Sequence, residues 1–141
     1  RKGLETKLKY NINRYSNASI SHNYVDSTEY NSAAEKQQAE VRRPRNILNI
    51  NYDNTFFFNK LSMNSNIFYS SKVKDTDFSS YPYQNVYMSS YFLFNTSLNY
   101  DVDSKNKISL IFKNIFNREY NEVNGYNTPG FEVLINYRNS F

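Results

Sequence analysis

The chain has 141 residues, no cysteine, 14 tyrosines, 11 phenylalanines and a formal net charge of +4. That length is one domain, residues 1–141. The missing cysteine excludes a disulfide framework and any thiolate metal site, though no cellular compartment, and the scattered Lys and Arg form no basic stripe of the kind that binds nucleic acid.

Period-two alternation then marks seven strands in chain order. Residues 4–13 place Leu4, Thr6, Leu8, Tyr10 and Ile12 on one face and Glu5, Lys7, Lys9, Asn11 and Asn13 on the other. A turn at 14–16 leads to a second strand, 17–26, in which Ala18, Ile20 and Tyr24 oppose Ser19, Ser21 and Asn23. Residues 27–43 are polar and read as a long surface loop, with a helical turn as an option around 33–38. A third strand spans 44–53, with Leu48, Ile50 and Tyr52 on its apolar side and Pro44 tolerable at its first position. After a turn at 54–59, a fourth strand covers 60–71 with Leu61, Met63, Ile67 and Tyr69 on its apolar side. A second long loop, 72–89, is rich in Ser, Asp and Tyr. The fifth strand, 90–101, carries Phe92, Phe94, Leu98 and Tyr100 opposite Asn95, Ser97 and Asn99. A tight turn at 102–106 precedes a sixth strand, 107–116, with Ile108, Leu110 and Phe112 on one side. A third long loop, 117–130, leads to a seventh strand, 131–141, which alternates Phe131, Val133, Ile135, Tyr137 and Phe141 with Glu132, Asn136, Arg138 and Ser140.

Three features of this pattern point to a membrane barrel. Strands of about ten residues, apolar on one side only, have the length needed to cross a bilayer at a tilt. Connections alternate short and long, as periplasmic turns and external loops do in outer-membrane barrels, which puts Phe141 at the periplasmic rim. The aromatic excess matches interfacial girdles. A mean hydropathy of −0.78 fits such a wall, because only alternate residues meet lipid. No apolar run reaches the roughly 18 residues of a membrane helix. Seven strands are an odd number and leave two unpaired edges, which hydrocarbon does not permit. The chain therefore reads as the carboxy-terminal piece of something longer.

Particular motifs carry a family resemblance. Asn114-Ile115-Phe116-Asn117, then Tyr120, Gly125-Tyr126, Pro129-Gly130 and the aromatic-ended last strand resemble the carboxy-terminal end of TonB-dependent outer-membrane receptors. Arg42-Arg43-Pro44 resembles the double-Arg element that opens a late strand in that family, and Gly3-Leu4-Glu5 a common strand opening. Residues 77–86, running from Asp77 through Tyr81-Pro82-Tyr83 to Val86, resemble an external loop of its vitamin B12 (cobalamin) branch. Ile115 stands where Leu is usual, and Asn139 where the last strand usually carries another apolar residue; the second departure would weaken recognition by the barrel-assembly machinery.

The resemblance implies an all-β fold, the last third of an antiparallel transmembrane β-barrel of about 22 strands, with the plug outside this sequence. It implies an outer-membrane receptor rather than an enzyme, with no cofactor, monomeric, and in contact with outer-membrane lipid. Such a receptor binds a scarce small molecule, cobalamin or alternatively a siderophore or other iron chelate, and passes it inward on energy delivered by the TonB complex to a TonB box in the plug. A soluble all-β binding module, with its apolar face against a second sheet, is the reading from a different class.

Candidate ligand-binding residues are Arg42, Arg43, Phe78, Tyr81, Tyr83 and Tyr126. Arg42 and Arg43, at a strand entrance on the external mouth, either offer their planar forks to an amide- or phosphate-bearing ligand or form rim salt bridges. The aromatics either stack on a large planar ligand such as a corrin or pack the loops. Tyr137 and Phe141 are the candidate assembly signal. No metal site is expected: His22 lacks partners at ligand spacing, and Asp75, Asp77, Asp101 and Asp103 fit no calcium-loop pattern and read as solvated charges. Lys7, Lys9, Lys113 and Arg138 face inward, toward carboxylates of the plug or of neighbouring strands.

Overall fold

The computed structural model describes residues 1–32, 35–56, 58–79 and 81–140. Its strands are β1 (Lys2–Asn13), β2 (Ser16–Asp26), β3 (Thr28–Asn31), β4 (Lys36–Ala39), β5 (Asn46–Phe56), β6 (Leu61–Ser70), β7 (Val73–Asp77), β8 (Gln84–Met88), β9 (Tyr91–Asp101), β10 (Asn106–Lys113) and β11 (Glu132–Asn139). Seven of them make one antiparallel sheet in the order β1-β2-β5-β6-β9-β10-β11. These are the seven strands expected from alternation. The largest differences in extent are at β5, which ends at Phe56 rather than 53, and at β10, which ends at Lys113 rather than 116.

Because side chains alternate across a strand, the register decides which residues share a face. Leu8 lies opposite Ile20, Ile20 opposite Ile50, Ile50 opposite Ile67 and Ile67 opposite Phe94. A second row runs from Met63 to Leu98, then to Leu110 and Ile135. One apolar face is thereby continuous across all seven strands. It is uncovered: Leu8 is 64% and Ile135 77% exposed. The hydroxyls that interrupt it serve each other, since Ser65 Oγ and Thr96 Oγ1 are 2.9 Å apart and Thr96 Oγ1 also donates to the carbonyl of Asn64.

The opposite face is held by amides. The backbone N–H of Asn114 donates to Asn95 Oδ1, Asn95 Nδ2 to Asn66 Oδ1, Asn66 Nδ2 to Asn51 Oδ1 and Asn51 Nδ2 to Ser19 Oγ. Each amide spends its carbonyl on one neighbour and its NH2 on the next, so one relay ties β2, β5, β6 and β9 to the backbone just past β10 without a charge. Lys113 meets Glu132 at 3.8 Å beside it.

Two of the three long loops carry strands of their own. Residues 27–43 hold the β3–β4 hairpin, so 36–38 are extended rather than helical, and residues 72–89 hold the β7–β8 hairpin. Ala33 and Ala34, the start of the optional helical turn, lie outside the described residues. The second hairpin brings compact packing to this end of the sheet. Among the described residues the buried apolar side chains are Val73, Met88 and Tyr91, all at or beside the second hairpin. Among the described residues, Tyr91 is the one buried apolar side chain that belongs to the seven-stranded sheet, and it lies at the sheet's loop end.

Candidate ligand site in the long loops

The third long loop is fastened at its root by the Asn114–Asn117 element. Asn114 is buried, in the left-handed region at φ 48°. Its Nδ2 donates to the carbonyls of Arg118 and Pro129, and its Oδ1 accepts from Arg118 N–H at 2.8 Å. Asn117, at φ 47°, accepts from Phe131 N–H through Oδ1. Asn tolerates these dihedrals better than most residues and can bond to the local backbone. This is why β10 stops at Lys113, short of the expected residue 116. Gly130 passes close by: a Cβ there would sit 2.5 Å from Asn117 Oδ1. Phe116 folds back over Phe94, 5.8 Å between ring centroids.

A single carboxylate joins the three long loops. Asp75 on β7 is fully buried. Its Oδ1 accepts from Arg42 Nε at 2.9 Å and from Thr76 N–H at 2.8 Å, while its Oδ2 accepts from Asn124 N–H at 2.9 Å. Burial pushes this carboxyl up, but the N–H donors of Asn124 and Thr76 and the Arg42 guanidinium outweigh it and hold the group below its ordinary range. Arg42 has a left-handed backbone at φ 56°, unfavourable for a long side chain. Two bonds hold it there: its N–H donates to Lys74 O at 2.8 Å, and its Nε to Asp75. Tyr91 adds a further tie, donating to Glu122 Oε1 and lying against Tyr120 with centroids 4.4 Å apart.

The joined loops enclose a cleft of about 550 Å³ lined by Arg42, Thr76, Asp77, Phe78, Ser79, Val123, Asn124, Gly125 and Tyr126. Three of the six candidate ligand residues, Arg42, Phe78 and Tyr126, meet in it. Arg42 spends one nitrogen on Asp75 and keeps its side chain half exposed. Phe78 and Tyr126 present large exposed aromatic surfaces. Gly125, at φ 80°, lets the backbone turn through the cleft wall with open space around it. One guanidinium and two exposed aromatic rings thus line the same cleft, which offers hydrogen-bond donors beside apolar surface.

The other candidates sit apart from the cleft. Arg43 reaches Glu40 Oε1 at 3.3 Å, so both arginines are in salt bridges, Arg42 with Asp75. Tyr83 stands edge-on to Phe78 at 5.1 Å and to Tyr81 at 5.8 Å, a cluster beside the cleft mouth. Tyr137 lies on the apolar face of β11 near the turn end, where its hydroxyl and Asn139 Nδ2 both donate to Asn106 Oδ1. Asn139, the polar departure in the last strand, is thus satisfied. Phe141 lies outside the described residues. His22 Nε2 is 3.0 Å from Asn46 Oδ1 on the neighbouring strand.

Sequence reasoning missed Asp75 and Asn124. Asp75 read as a solvated loop charge, and nothing local indicates that its donors come from residues 42 and 124. Another groove of about 310 Å³ lies along the sheet, lined by residues that include Asn51, Asp53, Asn64, Asn66 and Asn95. Its amides are already bonded to one another, which leaves fewer groups free for a ligand.

No family model matches the chain. Over 58 residues, 41% of this chain, it is 38% identical to the vitamin B12 transporter BtuB of Vibrio cholerae, with the same figures in two further strains. The chain spans 10% of the length of these relatives. Among solved structures it aligns with the FpvAI–pyocin S2 complex at a TM-score of 0.78 and 14% identity. It aligns with Pseudomonas aeruginosa FpvA bound to heterologous pyoverdines at 0.77 and 13% identity. Both alignments cover 99% of this chain, but only 20% and 19% of those proteins. The likeness to the FpvA structures shows the fold, that of a section of those β-barrels, and the identity to the transporter is confined to part of the chain.

Proposed function

We propose that this chain forms part of the wall and outer mouth of a TonB-dependent outer-membrane receptor, and that the complete protein takes up cobalamin. The carrying observation is the cleft in which Arg42, Phe78 and Tyr126 converge at the loop end of a sheet whose apolar face is bare. On this reading the bare face meets lipid, and the two unpaired edges, β1 and β11, pair with further strands of a plugged barrel, because open edges do not persist in hydrocarbon. β11 then runs from the outer loops to the periplasmic side. The ligand enters from outside, rests against the aromatic faces and gives its amide or phosphate oxygens to Arg42. Release inward draws on TonB acting at a plug segment. The protein works as a monomer and needs no catalytic group or cofactor of its own. Tyr137 and Phe141 serve as the signal read by the barrel-assembly machinery.

The choice of cobalamin over an iron chelate is supported by the local identity to a vitamin B12 transporter, since the likeness to the FpvA structures carries the fold alone. The deciding experiment expresses the full gene product in cells stripped of their own cobalamin receptor. Uptake of labelled cobalamin should appear, should resist an excess of ferric chelates, and should stop when the proton-motive force is collapsed. Uptake of a ferric chelate instead would make this an iron receptor. Release of the protein from membranes by an alkaline wash would make it a soluble module.

A further inference from the structure

We infer that Asp75 is a positioning residue: it clasps the three outer loops into one preformed cleft and holds Arg42 in the strained conformation from which its guanidinium faces the ligand. The role rests on the ligand-mouth reading above, but its geometry stands without it.

The carboxylate has two oxygens and uses both. Oδ1 takes the side chain of Arg42 and its own neighbour's N–H, and Oδ2 takes the N–H of Asn124, 49 residues away along the chain. Each of the three loops contributes to the cleft, and each ends at this one group. Arg42 is the residue that most needs holding. Its left-handed backbone would relax if either the bond to Lys74 O or the bond to Asp75 were lost. On the other side, Asn124 is followed by Gly125 and Tyr126, so the clasp also fixes where the Tyr126 ring is carried. A buried charge so fully bonded is costly to leave half-satisfied, and the loops gain from staying joined. Asp75 itself is inaccessible to a ligand, which separates its role from a contact residue's.

The test uses the full protein in outer-membrane vesicles, with spin labels on Asn85→Cys and Asn121→Cys. Both positions are exposed, one on β8 and one on the third loop. Pulsed-dipolar distances without any ligand should be narrow. They should broaden in Asp75→Ala, broaden less in Asp75→Asn, which keeps one acceptor, and stay narrow in the control Asp103→Asn at the opposite end. Labelled cyanocobalamin should bind about 10- to 100-fold more weakly to Asp75→Ala, the cost of losing charge-assisted hydrogen bonds. Heat-modifiable migration checks that the barrel has assembled; if Asp75→Ala fails it, Asp75→Asn carries the comparison. A distance distribution unchanged in the substituted protein overturns the clasp. So does a large loss of binding with the distances still narrow, which would make Asp75 a direct contact. Absence of cobalamin binding in the unsubstituted protein would defeat the uptake reading, while the distances would still decide the clasp.

Discussion

The sheet and the platform formed by the long loops are built on opposite principles. In the sheet, function is spread over rows: Leu8, Ile20, Ile50, Ile67 and Phe94 are neighbours of one kind, and any of them could be exchanged for another apolar residue. On the platform, single atoms decide. Asp75 Oδ2, Asn114 Nδ2 and the Arg42 backbone each do something that no neighbour can take over. The wall should therefore tolerate conservative exchange and fail only when its polarity is reversed, whereas the platform should fail at isosteric changes.

The largest expected effect comes from reversing polarity in the wall. Ile50→Arg places a charge on the apolar face at mid-strand and should cost about 2–4 kcal/mol in denaturant unfolding from lipid vesicles. Asn51→Arg, one residue along on the polar face, should cost far less. Equal costs would break the distinction between the two faces.

Next comes Asn114→Ala. It strips a buried side chain of three hydrogen bonds and leaves the carbonyls of Arg118 and Pro129 short of a donor. About 2–3 kcal/mol of local stability should be lost, read as faster proteolysis within residues 115–130 while the strands stay protected. Gly130→Ala should be milder. Its methyl would displace Asn117 Oδ1 from Phe131 N–H, costing about 1 kcal/mol, and native-state exchange at Phe131 should quicken accordingly.

The smallest effect is a pH dependence. Glu40 accepts from Ser27 Oγ and Arg1 and pairs with Arg43. The Ser27 hydroxyl, then Arg1 and Arg43, hold its carboxyl down to about 2 from an ordinary value of 4.5. A group whose folded value is depressed stabilises above its unfolded value and loses that effect as pH falls. Hydrogen exchange in β3–β4 should therefore be insensitive to this group above about pH 4.5 and accelerate, beyond the intrinsic rate, as pH drops toward 2. Glu40→Gln should flatten that change.

The same contrast explains what could be read from the sequence. The strands of the sheet are legible because one face is apolar and the other polar, so a period of two is written into Leu48-Asn49-Ile50-Asn51-Tyr52. The hairpins are not. Lys36-Gln37-Gln38-Ala39 and Val73-Lys74-Asp75-Thr76-Asp77 are short and mostly polar, and their pairing is fixed by the loop around them. Arg42, Phe78 and Tyr126 stand out in the sequence by residue type and loop position. Their convergence was not readable, because it depends on Asp75 reaching across 33 residues to Arg42 and 49 to Asn124. The left-handed turn that ends β10 was signalled only by two asparagines three apart, a pattern that alternation passes over.

The central claim is that the apolar row of this sheet faces acyl chains while the amide row does not. An environment-sensitive fluorophore on single cysteines at positions 48–53 of β5, in vesicles containing brominated lipid, tests it directly. Quenching should alternate, strong at 48, 50 and 52 and weak at 49, 51 and 53. Uniform quenching, or none at the even positions, would contradict the account.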